Sequence, residues 1–206
     1  MRAWGMATIP FDQHPDYTTI SEICTRIRLA ETKGDLWKLL AGEVMQFSLL
    51  DLQRIGGKLR NETLRLPHSY GKKARPYLEE QLFGKYHELL LGYLNQKYLA
   101  WCMPISDRDR FDAYFLMVPR GSFCWDDGRE RFSHGREAIY ALFYYLICGF
   151  AMFVLDEPGH PVGTPFPGGY IVEERRGEYY CPIRDKEEDV FFSICNFCPA
   201  LQLENV

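Results

Sequence analysis

Ala138-Ile-Tyr-Ala-Leu-Phe-Tyr-Tyr-Leu-Ile-Cys-Gly-Phe-Ala-Met-Phe-Val-Leu155 is an uncharged run of 18 residues, closed off by Arg136 on one side and Asp156 on the other. A run of this length reaches only the short limit for crossing a bilayer, where about 20 apolar residues are needed. It carries tyrosines at its middle, and no second run of its kind occurs in the chain. It reads as a helix apolar on every side, which is what the centre of a helical domain requires. No membrane association is expected.

Around this helix the pattern is helical. Thr19-Ile-Ser-Glu22 has the form of a capping box, followed by Ile20, Ile23, Cys24 and Ile27 on one face. Gly34 is expected to stop that helix and Asp35 to cap the next. The stripe of that next helix is Leu36, Leu40, Val44, Phe47 and Leu50 or Asp51, ending near Gly56-Gly57. Pro76 suits a first turn. Leu82, Phe83, Tyr86, Leu89, Leu90, Tyr93 and Leu94 then form the clearest stripe, closed by Pro104. Ser106 is the expected cap of a short segment, Asp107 to Val118, with a loop from Arg120 to Arg131.

The character changes after Asp156. Residues 157–169 hold four prolines and four glycines, a density that no regular element survives. Tyr170-Ile-Val-Glu-Glu and Glu178-Tyr-Tyr-Cys-Pro flank Arg175-Arg176-Gly177 as a hairpin with glycine at its turn. Lys186 to Ile194 reads as one short helix. The expected fold class is therefore mainly α: a bundle-like helical body, 1–156, and a small irregular C-terminal module, 157–206, packed with it as one unit. A module of some fifty residues with little aliphatic content needs a staple.

Cysteine supplies it. The chain has 7 cysteines, and Met1-Arg-Ala-Trp-Gly-Met does not read as a secretory signal. A cytoplasmic setting with reduced thiols is expected rather than a disulfide framework. Cys195-Asn-Phe-Cys198 lets two thiolates face one ion, and Cys181 at the end of the second hairpin strand offers a third. His160, in the rigid loop just before the hairpin, is the leading fourth ligand, with Cys148 second. Zinc is the expected ion. An iron–sulfur cluster drawing on Cys102, Cys124 or Cys148 ranks below it, and a dithiol redox motif lacks its βαβ setting.

No catalytic residue and no further cofactor-binding residue is assigned. An open fourth metal position would need an acid or base beside the ion, such as Asp156, Glu157 or Asp185. His134 and Glu137, one turn apart, read as a helix start. Asp107, Asp109, Asp112, Asp126 and Asp127 read as a solvated surface. A formal net charge of -4 argues against bulk nucleic-acid binding. The local basic stretch Lys58 to Arg75 reads as a helix end and loop, with a phosphate patch as the sharper alternative. The expected role is binding or interaction with an unidentified protein or small molecule. A metalloenzyme is the first alternative and a redox protein the second.

His160 to Gly169 (His-Pro-Val-Gly-Thr-Pro-Phe-Pro-Gly-Gly), Tyr179 to Pro182 (Tyr-Tyr-Cys-Pro) and Cys195 to Ala200 (Cys-Asn-Phe-Cys-Pro-Ala) together resemble a family of uncharacterised proteins found mainly in methanogenic archaea. That family is described as predicted metal-binding. The resemblance covers about residues 159 to 202. It implies an intracellular archaeal protein with a metal site at Cys181, Cys195 and Cys198, and it implies no reaction.

Overall fold

The computed structural model describes residues 11–125, 129–130 and 137–204. Asp126, Asp127 and His134 lie outside them. The fold is mainly helical, with a small three-stranded sheet near the C-terminus. Among the described residues seven α-helices follow in order: α1 Pro15–Ile27, α2 Lys33–Val44, α3 Leu49–Arg65, α4 His68–Glu79, α5 Lys85–Leu94, α6 Arg108–Gly121 and α7 Glu137–Gly149. A π-helical segment, Glu80–Gly84, joins α4 directly to α5, and a second, Phe150–Val154, extends α7.

The apolar run is the centre of the molecule. Glu137–Val154 is long and apolar enough to cross a membrane by composition, yet 78% of it is buried inside the fold. Helices α1, α2 and α6 and the π segment Glu80–Gly84 pack around it. Aromatic edges fill the contacts. Phe150 meets Trp37 at 5.1 Å, Phe143 meets Phe47 at 4.9 Å, and Phe153 meets Phe111 at 5.5 Å. Such edge-to-face pairs contribute about 0.5–1.5 kcal/mol beyond burial alone. The Tyr114 hydroxyl, fully buried, donates to the Tyr145 carbonyl at 2.7 Å.

Several helix boundaries differ from the sequence reading. Thr19 lies inside α1, and the helix starts earlier, at His14 and Pro15. The His14 imidazole accepts from the Asp16 amide. Two capping boxes start α2 and α3, Thr32 with Asp35 and Ser48 with Asp51. Asp35 is thus the third residue of its helix and not its cap. The stretch expected as one helix from Leu36 to Gly56 breaks at Met45–Ser48 because Ser48 caps a new start. Gly34 belongs to α2, where a Cβ would stand 2.4 Å from the Tyr98 carbonyl oxygen. Gly56 and Gly57 are interior to α3, and Pro76 is interior to α4. Asp107, not Ser106, caps α6.

At the end of α7 the chain turns through Asp156, whose φ is +56°. Asp tolerates this left-handed region better than most residues. Its carboxylate is held by the buried Lys33 ammonium and accepts from Ser106 Oγ at 3.0 Å.

The stretch expected as a loop from Arg120 to Arg131 begins inside α6 and holds a short strand pair, β1 Cys124–Trp125 antiparallel to β2 Arg129–Glu130. The later hairpin is as expected: β3 Glu173–Arg175 pairs antiparallel with β4 Glu178–Cys181. Arg176 and Gly177 have φ of +57° and +83°, as a two-residue primed turn requires. A third strand, β5 Leu201–Gln202, pairs parallel with β4, aligning Tyr180 with Leu201 and Cys181 with Gln202. Lys186 to Ile194 is not one helix. Short 3-10 turns at Arg184–Glu187 and Ile194–Phe197 stand in its place. The module is bonded to the body. Tyr145 OH donates to the Phe192 carbonyl at 3.0 Å, and the Tyr114 and Phe197 rings meet at 5.3 Å.

The closest helix approach gives a paired test. A Cβ at Gly92 would stand 2.1 Å from Trp37, whose indole N–H donates to the Leu89 carbonyl at 2.9 Å. Gly92→Ala is expected to lower the denaturation free energy by about 1–3 kcal/mol. Gly42, also helical, has nothing within 4 Å of that position, so Gly42→Ala is expected to raise it by about 0.5–1 kcal/mol. Urea denaturation of both variants checks the contrast.

Candidate functional site

Three cysteines and a histidine distant in sequence line one closed space. Its walls include His160, Cys181, Cys195 and Cys198, with Pro158 and Arg184, and it does not admit a water molecule. Strand pairing explains the convergence. β4 ends at Cys181, and β5 begins three residues after Cys198 and lies beside β4. The Leu203 amide donates to the Cys181 carbonyl at 3.0 Å and fixes that register. The Cys-x-x-Cys pair turns through the 3-10 segment Ile194–Phe197, which starts on Ser193. Ser193 Oγ accepts from the Cys195 amide at 3.3 Å.

The loop carrying His160 is held from both sides. The Gly159 amide donates to Cys198 Sγ at 3.3 Å. A Cβ at Gly159 would meet Ile194 Cδ1 at 2.7 Å, so the backbone reaches the sulfur only because residue 159 has no side chain. Farther along, the Gly163 amide donates to Val172, the Val172 amide to Thr164 and the Phe166 amide to Tyr170. The irregular loop is therefore fastened to the residues that lead into β3, with the His160 and Phe166 rings edge to face at 5.5 Å.

Electrostatics keep these thiols protonated. Burial pushes Cys195 up to about 12 and raises Cys198 and Cys181, while the Arg184 guanidinium opposes the shift at Cys181 and Cys198. Arg184 Nε also donates to the Cys198 carbonyl at 3.3 Å. Burial lowers His160 to about 4, so its imidazole is neutral near pH 7. Neutral imidazole is the form that ligates a metal.

Three thiols and one imidazole are the donor set of a Cys3His zinc site. Among the described residues, no group of three or more His, Cys, Asp or Glu side chains stands at metal-holding spacing. The donors share a wall without meeting at coordination distance.

Other residues weighed from sequence stand elsewhere. Cys148, buried on α7, accepts a long contact from Gln81 Nε2 at 3.8 Å; it is near enough to Cys195 and Cys198 to interact with them electrostatically but does not line the closed space. Cys102 is exposed. Asp156 serves Lys33, Glu157 pairs with Lys85, and Asp185 is exposed beside Arg184. Asp112 pairs with Arg28 at 3.1 Å and Arg108 at 3.0 Å, and Asp107 with Arg110 at 3.0 Å. These acids hold helices together. The Lys58–Arg75 stretch spans the end of α3 and the start of α4.

Sequence reasoning missed a second, open cleft of about 260 Å³ on the other side of Pro158. Its residues come from α5, both π segments, the loop after α7 and the hairpin. No local spacing marks them as a group.

Residues 32–203 match the model of a family described as "Uncharacterized protein conserved in archaea (DUF2115)". A UPF0305 protein of Methanococcus maripaludis (strain C5) is 36% identical over 167 residues, which is 81% of this chain and 94% of that protein. A UPF0305 protein of Methanocaldococcus jannaschii is 22% identical over 180 residues, 84% of this chain and 97% of that one. A Methanothermobacter thermautotrophicus UPF0305 protein is 50% identical over 50 residues, and that match spans 24% of this chain and 32% of the relative. No solved structure matches. With a family model covering most of its length, the chain belongs to this archaeal family.

Proposed function

We propose that Cys181, Cys195, Cys198 and His160 hold one zinc ion whose role is structural, in a cytoplasmic protein that works by binding a partner or small molecule. The observation that carries this reading is the shared wall: four metal-capable donors, from three separate segments, face one space that excludes water. A closed Cys3His set is the usual form of a structural site. Binding the ion there would release the thiol protons and add its binding energy to folding. The module gains most from this, since its strands are two to four residues long.

The same geometry disfavours an open catalytic position. The acids nearest in sequence, Asp156, Glu157 and Asp185, do not line the closed space. A cluster fed by Cys102, Cys124 or Cys148 is disfavoured too, because none of these lines it either.

Elemental analysis of full-length protein purified without oxygen is expected to give about one zinc per chain and no visible absorbance. Iron with broad visible absorbance would replace this reading with cluster chemistry. Cys195→Ser is expected to lose the metal and to lower the melting temperature. A Cys195→Ser protein with unchanged stability would refute a structural role. His160→Ala is expected to weaken retention under a chelator, and full retention would assign the fourth donor elsewhere.

Thiol counting supplies an independent check. Cys102 is exposed, whereas Cys24, Cys124, Cys148, Cys181, Cys195 and Cys198 are buried. Native protein is expected to show one fast-reacting thiol toward an aromatic disulfide reagent, abolished in Cys102→Ser. Chelator treatment is expected to expose three more. An unchanged count after chelation would argue against zinc on these cysteines.

A further inference from the structure

The α3–α4 hairpin presents a surface that the cysteine module does not use. Between Gln53 and Arg75 the chain carries seven Lys or Arg residues and one acid, Glu62, although the whole protein has a formal net charge of -4. Helix α3 packs chiefly on α4, at the edge of the body. The two backbones touch near their connection, where a Cβ at Gly71 would stand 2.6 Å from the Thr63 carbonyl oxygen. That contact brings Arg65, two residues after Thr63, to the same end of the hairpin as Lys72 and Lys73. Arg60, Arg65, Lys72 and Lys73 are exposed and make no ion pair among the described residues. Two other cations are engaged: Arg54 donates to the Tyr140 hydroxyl at 3.3 Å, and Arg75 pairs with Glu79 at 2.7 Å.

The solvent face of α3 has a definite composition. Gln53, Gly57, Arg60, Asn61 and Leu64 recur on it at three- and four-residue spacing, and the four with side chains are exposed. No Asp or Glu falls in this row.

Gly57 adds an observation of another kind, because it stands at the centre of the row. Glycine in a helix interior costs about 1 kcal/mol relative to alanine. Nothing inside the protein requires it there, since an added Cβ would have no atom within 4 Å. Its neighbour Gly56, by contrast, faces the Phe83 ring, 3.4 Å from that position. A bare helical turn lets an outside molecule come close to the backbone. Gly42 is equally bare; what distinguishes Gly57 is its place in an acid-free row of amide and guanidinium side chains.

We propose that α3 enters the major groove of duplex DNA with this face, while Arg65, Lys72 and Lys73 hold the flanking phosphates. A guanidinium pairs with the O6 and N7 of guanine, and a carboxamide with the N6 and N7 of adenine. Cations on the sugar-phosphate backbone fix orientation. From Gln53 to Asn61 the helix advances about 12 Å, and the groove, about 12 Å wide, admits an α-helix. Duplex RNA is disfavoured because its major groove is too narrow for side chains to read. A membrane surface calls for one apolar stripe, whereas Leu50 and Leu64, each more than half exposed, stand near opposite ends of α3. An acidic peptide would engage the cations and leave Gln53 and Asn61 without a role. The acidic remainder of the protein repels phosphate, so attachment is local to the hairpin and weakens steeply with salt. The inference supplies a partner for the binding role proposed above and is independent of the zinc.

The test is fluorescence anisotropy of a short labelled DNA duplex of mixed sequence, titrated with the full-length protein at several salt concentrations. Saturable binding is expected at low salt, with log affinity falling against log salt at a slope of about -3, as three phosphate contacts imply. Lys72→Gln together with Lys73→Gln is expected to flatten that slope by about 2 and to weaken binding about tenfold. Both positions are exposed, so the fold is expected to stand, and an unchanged melting temperature verifies this. Gly57→Leu is expected to weaken binding about tenfold without lowering the melting temperature, since leucine is the better helix former. Methyl green, which occupies the major groove, is expected to compete, and netropsin, which occupies the minor groove, is not. No saturable binding, equal or tighter binding of duplex RNA or of phosphatidylglycerol vesicles, equal competition by poly-glutamate, displacement by netropsin alone, or undiminished binding by the Gly57→Leu protein would each overturn the proposal. Zinc content measured on the same sample tests the metal reading separately.

Discussion

A helix without a polar face has to be covered on every side. Residues 137–154 form such a helix, and the body is the set of elements that cover it. Burying one large apolar side chain contributes about 1.5–3 kcal/mol, and this helix buries a dozen or more residues. Its position then determines where the chain leaves the body. The exit is pinned at Asp156, whose left-handed backbone is held by Lys33 from α2 and Ser106 from the segment before α6. Lys33 is almost completely buried. Removing its partner would leave a charge without compensation, so the turn is specified as strongly as the core it terminates.

What the sequence could show follows from how local each signal is. The central helix was legible because eighteen uncharged residues admit few other readings. The hairpin was legible because Arg176-Gly177 sits between two strand-like runs, and both residues take the positive φ that a tight turn demands. Helix starts were harder. The expected box at Thr19 follows the usual Glu-at-third pattern, whereas the boxes that form, at Thr32 and Ser48, use aspartate there. Glycines misled for a physical reason. Gly34 and Gly92 serve close approach to a carbonyl and an indole, a tertiary demand that leaves no trace in local periodicity.

The candidate site divides along the same line. The Cys-x-x-Cys spacing identified two of its residues, and the hairpin end identified a third. Their convergence depends on β5, a parallel pairing of two residues at the far end of the chain. No pattern of period two can show in so short a strand. The open cleft was invisible for a stronger reason. Its walls are contributed by residues from Glu80 to Tyr179, and three of these residues lie on π turns, which have no compositional signature here.

The closed cysteine space and the open cleft are separated by Pro158 and Gly159. Pro158 lines both. Gly159 lines the cleft while its amide donates to Cys198 Sγ. Neither residue can yield easily. Proline has a fixed φ, and the Gly159 backbone lies against Ile194 with no room for a methyl group. A rigid partition transmits displacement and does not absorb it, because packed interiors compress little. The hydrogen bond to Cys198 ties the position of the partition to the sulfur, and Glu157, one residue before it, is the group that holds Lys85 in the cleft. The geometry of the cysteine module is in this way a boundary condition on the cleft, imposed through three consecutive residues that the central helix delivers to the seam.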